Sequence, residues 1–77
     1  MREMEIQEFI EKFADAIDVN NVEVLTAKTE FHELEEWSSL SVMLAIAFFE
    51  KEFGKHVSNT EIREANTLLD LYNIVAA

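Results

Sequence analysis

Apolar residues at Ile6, Phe9, Ile10, Phe13 and Ile17 recur every three or four positions, the period of one helical face. The spacing predicts a helix from about Glu3 to Ile17, with Glu3, Glu5 and Glu8 near the end where the helix dipole favours negative charge. The period then breaks. "DVNNVEVLTAKTEFHEL" mixes Asn, Thr and Asp with scattered apolar residues and reads as a long connection, anchored in the core by Val22, Leu25 and Phe31. A second helix is expected from Ser38 or Ser39 to about Phe53, stopped by Gly54. Ser58 and Glu61 have the S-x-x-E spacing of a capping box and open a short third helix. Thr67 and Asp70 repeat that spacing and open the last helix, whose buried stripe is Leu68, Leu71, Tyr72 and Val75. One glycine and no proline disfavour hairpins and tight turns. The expected fold is all-α, a single domain over residues 1–77. It is a small four-helix bundle with three longer helices, one short one and a long first loop.

The second helix departs from this simple patterning. "SLSVMLAIAFFEKEF" is apolar almost all round, the mark of a helix buried on several sides. Leu40, Met43, Ile46, Phe49 and Phe53 make one candidate stripe, with Leu44, Ala47 and Phe48 on its flank. Two accounts of that flank stay open. Trp37 or the loop covers it, or it is an exposed apolar patch that docks partner proteins, rimmed by Glu50, Lys51 and Glu52.

Charge and composition narrow the functions. Sixteen acidic against six basic residues leave a net charge of −10, which repels nucleic acid phosphates and anionic membranes and favours partners with basic patches. The absence of cysteine excludes a disulfide framework, a thiol nucleophile and a cysteine-bound zinc. "MREMEIQEFIEKF" lacks a signal-peptide pattern and no apolar run is long enough to span a bilayer, so a cytoplasmic protein is expected, with no membrane insertion. His32 and His56 have no i, i+4 partner of metal-binding type and read as surface or loop residues. Glu33, Glu35 and Glu36 lie outside any calcium-loop pattern, and Glu30 with Glu33 lacks the context of an acid–base pair. No P-loop, dinucleotide-binding turn or nucleophile elbow is present.

"EEWSSLSVMLAIAFFEKEFG" places three serines where the second helix begins. Helix starts favour serine for its capping hydroxyl, so the serines alone carry little signal. Their surroundings carry more. The chain resembles the acyl carrier proteins and the related peptidyl carrier domains over nearly its whole length. Phe31, Ser39 and Leu40 stand at the spacing of that family's F-x7-S-L segment. "FFEKEFG" looks like the acidic close of its helix two, "VSNTEI" resembles the stretch that follows, and "NTLLDLYNIV" is similar to its final helix. The resemblance places Ser39 as the attachment point of a 4′-phosphopantetheine group, transferred from coenzyme A by a phosphopantetheinyl transferase. Ser38 and Leu40 are its motif neighbours and Trp37 its flanking residue. The resemblance implies a non-catalytic, monomeric carrier of acyl or aminoacyl thioesters that serves loading and biosynthetic enzymes. Ser41, Leu44, Ala47, Glu50, Lys51 and Glu52 are the implied partner-facing positions.

Two departures stand out. Ser38 replaces the family's aspartate, and Ser41 and Leu44 occupy positions that are often acidic. As N-cap, Ser38 is expected to accept the N–H two or three residues on, keeping the aspartate's capping role without its charge. In the first turn of the helix, Ser39 would hold a phosphodiester at the positive end of the dipole. Phe9, Phe13, Phe31, Phe49 and Leu71 are expected to fill the core and leave little room for a long acyl chain. The alternative, from another class, is an unmodified interaction module of the same fold.

Overall fold

The computed structural model describes residues 5–19 and 22–76. Four helices form: α1 (Ile6–Ala16), α2 (Ser39–Phe53), α3 (Asn59–Glu64) and α4 (Leu68–Ala76). The long connection holds two single 3-10 turns, Val22–Val24 and Phe31–Glu33. Glu5 is extended, so α1 opens at Ile6; the start expected at Glu3 lies outside the described residues. Helix α1 packs against α2, α4 and the first 3-10 turn, and α2 packs against α3 and α4.

Two phenylalanines one helical turn apart hold these elements together. Phe9 places its ring 5.5–6.1 Å from those of Phe13, Phe48, Phe49, Phe53 and Tyr72, joining α1 to α2 and α4. Phe13 meets Phe31 and Trp37 from the loop and Phe48 and Phe49 from α2, at 6.2–6.5 Å. Aromatic pairs at such separations add to simple area burial. A chain too short for a large core gains its cohesion this way, without a disulfide. Of the expected loop anchors, Leu25 and Phe31 are buried, and Val22 is half-buried against the core. On α4, Leu68, Leu71 and Val75 are buried as expected, while Tyr72 keeps partial exposure.

The phase of α2 differs from its expected stripe. Ser41, Ala45, Phe48 and Phe49 face inward. Leu40 and Met43, placed in the stripe by spacing, are 61% and 67% exposed. In a helix apolar on every side, the face that meets α1 is chosen by what fits there. Phe48 and Phe49 fill the space against Phe9 and Phe13, and Ser41 and Ala45 are buried on the same side of the helix.

Helix ends follow the local chemistry. Gly54 closes α2 in the left-handed region at φ 62°, with its N–H donating to the Glu50 carbonyl at 3.0 Å. Ser58 and Glu61 form the expected reciprocal cap of α3. Before α4, Asp70 Oδ2 accepts from the N–H groups of Asn66 and Thr67 at 2.9 and 3.1 Å, and Thr67 Oγ1 accepts from Asp70 N. The long loop contributes a feature that local spacing does not encode. Its Thr29 and Ala27 carbonyls accept the N–H groups of Leu68 and Leu69 at 3.0 and 2.9 Å, so the loop clasps the start of α4.

Those backbone bonds, Asn66 first and Thr67 next, hold the Asp70 carboxyl below its ordinary value of 3.8. A depressed carboxyl pKa contributes stability that is complete above 3.8 and is lost as pH falls through the folded value. Asp70→Asn is therefore expected to melt below wild type at neutral pH, with the gap closing under stronger acid. An equal gap in thermal melts at about pH 7 and about pH 2.5 would remove the carboxylate from this role.

Candidate functional site

The site is built where the loop turns into α2. Trp37 lies half-buried over the core, its ring 4.9 Å from Phe31 and 6.4 Å from Phe13. It covers the loop end of the core and not the flank of α2, where Leu44 and Ala47 are exposed and Phe48 is buried. Next, Ser38 is extended and caps α2. Its Oγ accepts from Ser41 N at 3.4 Å, and its own N–H donates to Ser41 Oγ at 3.0 Å. Ser41 also donates its hydroxyl to the Glu36 carbonyl at 3.0 Å.

This network sorts the three serines. Ser38 is the N-cap, as expected. Ser41 was expected on the partner-facing side and is instead 3% exposed, its hydroxyl engaged with two backbone groups. Serine fits there because a buried hydroxyl must find partners, and the turn at Glu36–Ser38 supplies them. Ser39 is different. It is the first residue of α2 and exposed, and its hydroxyl makes no hydrogen bond among the described residues. A covalent group added there breaks no bond of the fold.

Ser39 opens onto a groove of about 430 Å³ between α2 and α3. Trp37, Val42, Met43, Ile46 and Ile62 give it apolar walls; His32, Asn59 and Arg63 give it polar ones. Among the described residues no carboxylate lines it, and no hydrogen bond joins Ser39 to His32.

A second surface lies along α2. Leu40, Met43, Leu44 and Ala47 are exposed at helical spacing and form one apolar face beside Ser39. A wider groove of about 520 Å³ borders it, where Leu44, Ala47 and Phe48 meet Glu11, Lys12 and Asp15 of α1 with Lys51 and Glu52 of α2. At this rim Lys12 pairs with Glu52 at 3.5 Å, tying α1 to α2. Glu50 pairs with His56 at 2.7 Å across the Gly54 turn, and Lys51 is exposed. Of the positions expected to face partners, Leu44, Ala47, Glu50, Lys51 and Glu52 are therefore on the surface, and Ser41 is not. The spare face was legible as excess apolarity in α2; the Ser38–Ser41 reciprocity was legible only as a weak S-x-x-S spacing.

Among the described residues no helix is long and apolar enough to cross a membrane, and no cluster of three or more His, Asp or Glu side chains could hold a metal. The chain matches no family model, no curated protein and no solved structure in comparisons with each. The family resemblance therefore rests on the residues quoted for it.

The roles of the three serines separate by stability. Ser41→Ala removes the acceptor of the Ser38 N–H and the hydroxyl donor to the Glu36 carbonyl, and is expected to cost about 1–2 kcal/mol in urea unfolding. Ser39→Ala is expected to stay within about 0.5 kcal/mol of wild type. Equal losses would mean that Ser39 also holds the fold together.

Proposed function

We propose that the protein is a non-catalytic carrier that bears a 4′-phosphopantetheine group on Ser39 and presents acyl or aminoacyl cargo to partner enzymes. The observation that carries this reading is the division of labour among the serines. Ser38 and Ser41 start the helix, which leaves Ser39 exposed, unengaged and beside a groove. The attached group supplies a terminal thiol that the cysteine-free chain lacks, and on it cargo rides as a thioester. In loading, Ser39 Oγ would bond to the pantetheine-side phosphorus of coenzyme A as the bond from that phosphorus to the bridging pyrophosphate oxygen breaks; adenosine 3′,5′-bisphosphate leaves with that oxygen, and the hydroxyl proton passes to a base of the transferase. First-turn N–H groups of α2, which have no intrahelical acceptor, favour the negative charge placed there.

The rest of the chain serves presentation. Core phenylalanines pack ring against ring, so a long acyl chain has to remain outside the bundle. Leu40, Met43, Leu44 and Ala47 offer partners an apolar contact, and the −10 net charge steers basic surfaces toward it. Tethered delivery acts through effective concentration, so each docking event can stay weak and short. The absent acid at Ser38 shifts recognition from charge toward this apolar contact.

Incubation with coenzyme A and a broad-specificity transferase is expected to add one phosphopantetheine mass to the wild type and none to Ser39→Ala. A chain that stays bare with several transferases would instead be an unmodified interaction module. Leu44→Asp is expected to keep the wild-type melting temperature while lowering transferase kcat/KM by about tenfold, a loss of about 1.4 kcal/mol in docking. An unchanged kcat/KM would place docking elsewhere.

A further inference from the structure

The outer face of α2 and the groove it shares with α1 combine an apolar strip with one free charge of each sign. Leu40, Met43, Leu44 and Ala47 stand exposed at steps of three and four residues, the spacing with which one helix packs on another. Five charged side chains surround the adjoining groove. Three of them are committed within the chain: Lys12 pairs with Glu52 at 3.5 Å, and Glu11 accepts from the Gln7 amide at 3.5 Å. Asp15 and Lys51 are not. Both are exposed, and among the described residues neither the Asp15 carboxylate nor the Lys51 ammonium has an ion pair or a hydrogen bond.

This arrangement constrains what can cover the face. A uniformly basic partner, the kind the net charge of −10 attracts, would satisfy Asp15 but set like charge against Lys51. An acidic partner reverses the conflict. A surface bearing both signs is satisfied by one bearing both in the opposite order, and a two-fold axis supplies that order, because residue i then meets j while j meets i. Ala47 is the small position of the strip and opens into the groove, which gives a long side chain from a second copy a place to enter.

We propose that α2 pairs with α2 of a second copy of this chain about a two-fold axis near Ala47. Leu44 of each copy enters the groove of the other, and Lys51 of each meets Asp15 of the other. Four apolar side chains and one charge of each sign per copy make a contact below standard interface size, so the pair is weak and exchanges rapidly. Each copy carries −10, and their repulsion reaches about 30 Å at about 0.01 M salt but only about 8 Å at about 0.15 M. Pairing therefore tightens as salt rises through that range. At low concentration the protein is the single chain that the family resemblance implies. The consequence is competition: one face cannot hold a second copy and a partner protein together, so pairing keeps the apolar strip from water until a partner displaces it. This goes beyond the carrier reading and does not require a group on Ser39.

Charge reversal decides the matter, because net charge and the proposed contact predict opposite signs. Asp15→Lys exchanges −1 for +1, taking the net charge from −10 to −8 and easing the general repulsion. In the proposed contact it instead opposes Lys51 twice per dimer. Sedimentation equilibrium of the unmodified protein at about 0.15 M salt is expected to show monomer and dimer by about 1 mM. Asp15→Lys and Lys51→Glu are each expected to weaken the dimer about tenfold. An equimolar mixture of the two variants is expected to recover wild-type association, since both cross-contacts then join opposite charges. Leu44→Asp should keep the wild-type melting temperature and lose the dimer. A monomer at every concentration up to about 1 mM overturns the proposal and leaves the face to a different protein. Asp15→Lys chains that associate as tightly as wild type, or a mixture that recovers nothing, overturn it as well.

Discussion

Ser41 sets how α2 is turned about its own axis. Its hydroxyl accepts the Ser38 N–H and donates to the Glu36 carbonyl, so this face of the helix must lie against the loop that precedes it. Residues one and two turns further on, Ala45, Phe48 and Phe49, are then carried inward onto Phe9 and Phe13. Leu40, Met43, Leu44 and Ala47 are carried outward by the same rotation. A different rotation would also bury apolar surface, since α2 has plenty on every side. The buried hydroxyl is what makes the alternatives unequal, because turned toward any wholly apolar environment it would lose its partners at a cost of about 1–3 kcal/mol.

From that rotation the functional geometry follows. Ser39 is neighbour to both capping serines and is engaged by neither, so it faces outward at the mouth of the α2–α3 groove. The exposed apolar face runs along the same helix. The two surfaces have different chemistry. One is apolar, with the Lys12–Glu52 ion pair and the Glu50–His56 hydrogen bond near its edge; the other gathers Arg63, Asn59 and His32.

The small core explains why the loop is ordered enough to take part. Phe31 and Trp37 belong to the aromatic cluster centred on Phe13, and the carbonyls of Ala27 and Thr29 hold the start of α4. The connection is therefore as much a structural member as the helices. Its burial of Phe31 and Leu25 offsets the entropy of ordering so many residues without regular structure.

Much of this was legible in the chain's one-dimensional order. The α1 stripe, the stop at Gly54, the Ser58–Glu61 and Thr67–Asp70 caps and the inward loop residues all depend on contacts within a few positions, or on apolar residues standing out from polar ones. Ser39 was singled out through the resemblance to the carrier family, in the register that Phe31 and the close of α2 define. The buried face of α2 was not legible, because periodicity locates a face only when the opposite face is polar, and here it is not. Nor could spacing show that Ser41 turns inward, that Trp37 covers Phe31 rather than Leu44, or that Arg63 shares a groove with Ser39. Those facts depend on how three separate segments fill one volume, and shape complementarity among rings is a property of the folded chain alone.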